Sequence, residues 1–197
     1  MKTENATLMQ QAREALAGRW GLAVGTMFVY SVITMAIQTI PKSGGVLGIL
    51  IGGPMTLGLI IFSLALVRNQ NPKLEQLFDG FARFSTALVA QVLVMVYVLL
   101  WALLLIVPGI VAALSYAMTF YILADNESMG AKEAMARSKK MMMGNKWKFF
   151  CLGLRFIGWA LLSILTLGIG FLWFIPYLQI STTKFYEDLK RVEGAAN

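Results

Sequence analysis

Between Arg83 and Asp125 the chain carries not one charged side chain. That run, long enough for two spanning helices of about 20 residues each, constrains the fold more than any motif does. Hydrocarbon offers the backbone no hydrogen-bonding partner, so an apolar stretch of about 18 residues or more crosses a bilayer as a helix that bonds its own amides. The rest of the chain is built alike: 58% of its residues are hydrophobic, 14% are charged, and the mean hydropathy is +0.69. Soluble domains carry about 25% charged residues. A water-soluble fold of this composition would expose apolar patches far larger than monomers tolerate. The reading is an all-α polytopic helical membrane protein, a single integral membrane domain over residues 1–197.

Six apolar segments are predicted, at about Trp20–Ile40, Val46–Val67, Thr86–Val107, Gly109–Ala124, Phe149–Leu167 and Ile169–Phe185. The longer ones approach the roughly 20 residues that a span requires. They pair as three hairpins. Pro108-Gly109 is the one turn signal between the third and fourth segments, and it places that turn only to within several residues.

The cations give the orientation. The turns at Pro41–Gly45, near Pro108 and near Gly168–Gly170 hold one cation, Lys42, and no acid. Every other Lys and Arg lies at the N-terminus, within 68–83, within 132–155, or at the C-terminus. The positive-inside rule then places both termini and both long loops in the cytoplasm. On this reading the net charge of +7 is a property of the cytoplasmic face, and no nucleic-acid partner is needed to explain it. The stretch before Trp20 includes Lys2, Glu4, Arg13, Glu14 and Arg19 and no apolar core. The expectation is no cleavable signal peptide, with the first span serving as its own insertion signal.

A weak threefold repeat runs through the chain. Leu16-Ala17-Gly18-Arg19-Trp20, Leu77-Phe78-Asp79-Gly80-Phe81 and Met142-Met143-Gly144-Asn145-Lys146-Trp147 each end a short helical pattern on Gly, followed by an aromatic. The aromatics Trp20, Phe81 and Trp147 recur at nearly even intervals, and a proline follows in each unit: Pro54, Pro108 and Pro176. The units run over 7–67, 71–124 and 128–189, and each reads as a short amphipathic interfacial helix followed by a hairpin. The first helix, about Thr7–Ala17, aligns Leu8, Ala12, Ala15 and Leu16 on one face. The second begins at Asn71-Pro72, an N-cap and first-turn pair, and places Leu74, Leu77, Phe78 and Phe81 at helical spacing. In the third, about Ser128–Met143, Ala131, Ala134, Met135, Ser138, Met141 and Met142 share one side. Lys132, Glu133, Arg137, Lys139 and Lys140 share the other. Repeats of this kind often place a binding site at their mutual interface.

Catalytic constellations are missing. The chain has no histidine, which removes the commonest general base, zinc ligand and pH switch together. Cys151 is the only cysteine and reads as a buried, inert thiol. All ten acids lie outside the apolar segments. Asp125 and Glu127 read as capping residues for the helix that follows, because two carboxylates and an amide are too few for a specific cation site. The chain is therefore expected to be no enzyme, with no cofactor and no metal.

The residues read as lipid- or ligand-binding are Arg155, Lys139, Lys140, Lys146, Trp147 and Lys148. Arg155 lies inside the fifth apolar segment, where charge is costly. Its partner is a lipid phosphate reached by snorkelling, backbone carbonyls, Asp125, or an anionic substrate. The segment from Ser138 to Lys148 joins a cationic face, a Met-rich face and an interfacial Trp. That suits anionic lipid, to which each Lys or Arg adds roughly 1 kcal/mol; the same charges also fix topology. Gln38, Gln91, Gln179, Thr34, Ser115 and Thr119 are the sparse polar groups of the spans, suited to interhelical hydrogen bonds. Gly48, Gly52, Gly53 and Gly58 line the second segment. Gly48 and Gly52 form a small-xxx-small pair that points to close helix packing rather than a pore.

Several of these residues fall into a wider pattern. Ala134, Ser138, Met142, Gly144, Lys146 and Phe149, then Leu154, Phe156, Gly158 and Trp159, then Thr166, Gly168, Ile169 and Gly170, then Trp173, Pro176, Tyr177, Phe185 and Tyr186 resemble the bacterial integral-membrane family called domain of unknown function 975. The opening Ala12-Arg13, Leu16, Gly18 and Trp20 is similar as well. The resemblance covers nearly the whole chain and implies a bacterial plasma (inner) membrane protein with several spans. It carries no activity and no catalytic residue. Its residues read as structural: Gly144 as a helix C-cap, Trp147 and Trp159 as anchor and packing residues, Gly168-Ile169-Gly170 as an external turn, and Pro176 as a kink; Trp20, Pro54 and Pro108 are read as structural too.

Two functions follow as expectations. The first is a non-enzymatic scaffold that binds anionic lipid at the cytoplasmic face and shapes the membrane or assembles with a membrane-protein partner or a second copy. The alternative is a transporter or export/immunity component for a hydrophobic or anionic solute, with Arg155, Pro54 and Pro176 at its site. Broken helices near a midplane site favour the latter; the lack of a coupling-ion carboxylate in the spans disfavours it.

Overall fold

The computed structural model describes residues 3–41 and 44–194. It is 83% helical, and the described residues hold no strand. The helices are α1 (Asn5–Leu16), α2 (Trp20–Gln38), α3 (Gly44–Val67), a 3₁₀ helix (Leu74–Arg83), α4 (Phe84–Leu104), α5 (Ile106–Tyr116), α6 (Thr119–Asp125), α7 (Ala131–Met141), α8 (Lys146–Arg155), α9 (Ile157–Leu165) and α10 (Phe171–Gly194). Among the described residues, five stretches are long and apolar enough to cross a membrane: Trp20–Gln38, Gly44–Val67, Leu74–Leu104, Ile106–Asp125 and Lys146–Leu165. Four of them follow the predicted segments closely, whereas the third begins at Leu74 rather than near Thr86, because the 3₁₀ helix runs directly into α4. The sixth falls in α10, whose second half carries Lys184, Glu187, Asp188, Lys190, Arg191 and Glu193. That helix as a whole is therefore not an apolar span. Lys42, the one cation of the odd turns, lies outside the described residues.

The turn near Pro108 falls at Leu105, which is extended (φ −160°, ψ 145°). Pro108 is the third residue of α5, in the first turn, where a missing N–H costs no helical bond. Pro54 and Pro176 sit deeper, inside α3 and α10. The three prolines therefore do not occupy equivalent helical positions.

The chain gathers into two compact units. The first comprises residues 1–29, 62–74 and 147–197, and the second 30–61 and 75–146. In the first, α1 packs on α10. Leu8, Ala12 and Leu16 are almost wholly buried, as are Ile180, Phe185, Tyr186 and Leu189 of α10. In the second unit α7 packs on α4, α5 and α6. Its buried residues are Ala131, Ala134, Met135, Ser138 and Met141, with Met142 just beyond. This is the predicted apolar side, but protein covers it. The apolar faces of α1 and α7 are therefore not free to lie on a membrane.

The middle short element differs from its expected α-helix. In a 3₁₀ helix residues three apart eclipse. Leu77 and Gly80 form a buried row, while Phe78, Phe81 and Phe84 are left exposed. The buried row meets α3 so closely that a Cβ on Gly58 would overlap the Leu77 carbonyl, and one on Gly80 would overlap the Pro54 carbonyl. The Gly48–Gly52 pair does not make such a contact. Gly52 has nothing near its missing Cβ, and Gly48 meets only the Gln38 side chain. Gly53, against the Ala87 carbonyl, and Gly58 are the close-approach positions instead.

A regular order emerges from these packings. The 3₁₀ helix of the second sequence repeat rests on α3 of the first. Helix α7 of the third rests on α4–α6 of the second, and α1 of the first rests on α10 of the third.

Candidate functional site: an aromatic cleft beside Arg13

In the first unit a cleft of about 320 Å³ opens along α9 and α10. One wall is Trp159, Leu162 and Ser163 of α9 with its C-cap Thr166; the other is Gly170, Trp173, Phe174 and Tyr177. Both walls repeat at i, i+3, i+4 and i+7, the spacing of one helix face. Arg13 of α1 and Trp20 of α2 complete the lining.

The two ends differ. At one, the Arg13 guanidinium carbon lies 5.6 Å from the Trp159 ring centroid and 5.4 Å from that of Tyr177. Both are within cation–π range. The Trp159 and Tyr177 rings themselves meet edge to face at 6.2 Å. At the other end, Leu167 (φ 53°) and Gly168 (φ 89°) turn the chain through left-handed backbone. Thr166 Oγ1 there accepts a hydrogen bond of 2.9 Å from the Gly170 amide. Nearly two helical turns separate Trp159 from Thr166, about 10 Å along the axis. The cleft is thus a lengthwise apolar trough with one cation at its head and no carboxylate in its lining.

Helix geometry puts Arg13 there. Leu8, Ala12 and Leu16 bury against α10, and Arg13 follows at the edge of that face. Gly18 (φ 74°) then ends α1 in a left-handed residue, and α2 opens with Trp20. The aromatic positions are local too. Phe156, buried at the break between α8 and α9, meets Tyr177 at 5.2 Å and Phe174 at 6.0 Å.

The residues singled out from sequence scatter. Trp20 and Trp159 enter this cleft. Lys139 and Lys146 line a second one, in the other unit, with Pro108. Trp147 is 73% exposed and stacks on Phe150 at 5.5 Å. Lys140 is exposed. Arg155 ends α8, exposed, and lines neither cleft. The C-cap of α7 is Met142, and Gly144 (φ 72°) follows two residues later, in the turn into α8, rather than serving as the cap itself. Cys151 is half-buried rather than fully buried. The N-cap of α7 is Gly130, not Asp125 or Glu127.

Lys148 is engaged within the protein. Its Nζ donates to Asp188 Oδ2 at 2.9 Å and lies 5.3 Å from the Phe185 ring. Asp188 also accepts hydrogen bonds from the Thr3 amide, the Thr3 hydroxyl and Arg191 Nη2. Burial alone would push its carboxyl up. The bonds from Thr3 and Lys148, with the Lys148 charge, outweigh burial and hold it below the usual carboxylate range.

Sequence reasoning missed Arg13, Trp173, Tyr177 and Arg83. Arg83 Nη1 donates to the Leu123 and Asn126 carbonyls at 2.6 and 3.2 Å, and its Nη2 to the Met129 carbonyl at 2.9 Å. It reads as one more cation of a positive loop until the fold brings those carbonyls to it. The i, i+3, i+4, i+7 register of Gly170, Trp173, Phe174 and Tyr177 was visible in the sequence and signals a shared face.

A family model described as protein of unknown function (DUF975) matches residues 1–118 and again 103–193. No curated protein and no solved structure matches the chain. Two overlapping matches that together cover almost the entire sequence establish membership: the chain belongs to this family.

Proposed function

We propose, from that membership and from the Arg13 cleft, that the protein is a non-enzymatic multi-pass protein of the bacterial plasma membrane. It binds anionic lipid at its cytoplasmic face and acts as a scaffold or membrane-shaping component. Six spans form three hairpins with both termini cytoplasmic, the first half of α10 supplying the sixth.

The observation that supports the reading is the trough itself, apolar along the α9 and α10 faces with Arg13 at its head; that shape suits an amphiphile with its anionic headgroup at Arg13 and its acyl chain along the walls. Apolar lining with few convergent polar groups is the usual make-up of a small-molecule site. The apolar faces of α1 and α7 are covered by protein, so grip on the membrane comes from clefts and exposed aromatics such as Trp147, not from helices lying flat. Nothing in the geometry of Arg155 favours the transport alternative, because Arg155 stands outside the trough.

The test is native mass spectrometry of protein extracted gently with its own lipids. Retained anionic phospholipid in wild type, lost in Arg13→Ala and largely restored in Arg13→Lys, is the expected result. Lipid retention indifferent to Arg13 sinks the reading, and a retained non-lipid solute moves transport to first place.

A further inference from the structure

The second unit contains a cleft of about 170 Å³ lined by Trp101 of α4, by Pro108, Val111, Ala112, Ser115 and Tyr116 of α5, and by Lys139 and Lys146. Part of its lining corresponds to that of the Arg13 trough. Setting the left-handed glycine Gly18 on the left-handed Gly144 aligns the two helices that precede them. In that register the buried residues Leu8, Ala12 and Leu16 fall on the buried Ala134, Ser138 and Met142. Arg13 then falls on Lys139, five residues before the glycine, and Trp20 on Lys146, two residues after it. The walls match as well. Pro108, Val111, Ala112 and Ser115 fall on Gly170, Trp173, Phe174 and Tyr177 respectively, at one constant offset.

The second sequence repeat carries no such cation. Five residues before Gly80 stands Glu75, an acid in place of the cation. The 3₁₀ helix there meets α3 backbone to backbone at Gly58 and Gly80.

The chemistry of the two sites differs in one respect. The trough has a single cation backed by rings. The second cleft has two lysines, neither in an ion pair among the described residues, and no carboxylate in its lining. A phosphate diester headgroup such as that of phosphatidylglycerol carries one negative charge. A phosphate monoester carries about −1.5 to −2 at pH 7. Lysine serves as a point charge for phosphate rather than a planar fork, so two of them answer a dianion. We infer that Lys139 and Lys146 form a second lipid site, related to the Arg13 site by the internal repeat and selective for a phospholipid with a monoester headgroup, of the phosphatidic acid kind. This rests on the lipid reading of the Arg13 trough.

The experiment is native mass spectrometry of the full chain, delipidated in detergent and titrated with phosphatidic acid or phosphatidylglycerol. Wild type is expected to saturate at two tightly held phosphatidic acid molecules and one phosphatidylglycerol. Lys139→Ala/Lys146→Ala is expected to hold one of either and to lose the preference. Lys139→Arg/Lys146→Arg, of unchanged charge, keeps both, which separates recognition from misfolding. Arg13→Ala is expected to hold one phosphatidic acid and no phosphatidylglycerol. A double-lysine variant that still holds two phosphatidic acids overturns the inference and leaves the Arg13 reading standing. Loss of lipid from wild type altogether overturns both. Displacement by inorganic phosphate at millimolar concentration overturns the lipid assignment of the second cleft, since the chain would then add nothing.

Discussion

Lys148 Nζ and Asp188 Oδ2 meet at 2.9 Å, and the Asp188 side chain is only 2% exposed. The pair joins the start of α8 to α10, while Thr3, two residues before α1, closes on the same carboxylate. Removing one partner of a buried pair costs about 3–5 kcal/mol, because the other charge stays buried. Lys148→Met is expected to lower stability by about 3 kcal/mol, read as thermal unfolding in detergent. In the double variant with Asp188→Asn the loss should be smaller than the sum of the single losses.

The same carboxylate sets a pH limit. Its pKa is depressed in the folded protein, so its stabilisation is present above the unfolded value of about 3.9 and disappears as pH falls through the lower folded value. The unfolding temperature of wild type is expected to drop along that acid limb. Asp188→Asn should start lower and follow a flatter limb. Equal slopes for the two proteins would show that Asp188 does not govern acid lability.

Gly58 and Gly80 should tolerate no side chain. Gly58→Ala or Gly80→Ala forces backbone apart at the crossing of α3 and the 3₁₀ helix, at a cost of about 2 kcal/mol or more. Gly52→Ala, with open space around it, is expected to be neutral or slightly stabilising, since Ala is the better helix former. The order of unfolding temperatures in detergent checks this, and an equal loss at all three positions contradicts it.

Ser138 holds the break between α5 and α6. Its Oγ donates to the Ser115 carbonyl at 2.8 Å and accepts from the Met118 amide at 3.2 Å. Ser138→Ala leaves that buried amide without its partner, at about 1–3 kcal/mol. Amide exchange at Met118 is expected to quicken by a factor of ten or more, while exchange in α1 stays unchanged.

Arg83 fastens the loop after α6 through carbonyls of Leu123, Asn126 and Met129. Lys has no planar fork to reach several carbonyls at once. Arg83→Lys is therefore expected to behave nearly as Arg83→Ala, with faster proteolysis between Asn126 and Gly130. Wild-type resistance in the lysine variant would show that charge alone suffices there.

Much of the architecture was legible from the chain because lipid leaves so few choices. Uncharged runs near the length of a bilayer have to be helices that satisfy their own amides, and five of the six predicted segments reappear as such helices. The buried side of α7 was likewise readable from its helical period, since a short helix with alanine, serine and methionine on one side has one face to bury. Periodicity does not say what covers a face. It read α1 and α7 as lying on lipid, where α10 and α4–α6 cover them. It also gave the segment from Leu74 an α-helical period where the crossing at Gly58 and Gly80 leaves room only for a tighter coil with a different exposed row.

The sequence by itself determined where the long apolar helices run, because that depends on local chain chemistry: apolar length, left-handed glycines, proline in a first turn. Tertiary structure alone decided which cations share a cleft with aromatic walls and which are spent inside the protein. Arg13 and Tyr177 lie near opposite ends of the chain, yet the guanidinium lies over the ring. Lys148 looked like its neighbours Lys139 and Lys146 until Asp188 came to it. A charge's role depends on what lies within a few ångströms of it, and in this chain those neighbours come from distant helices.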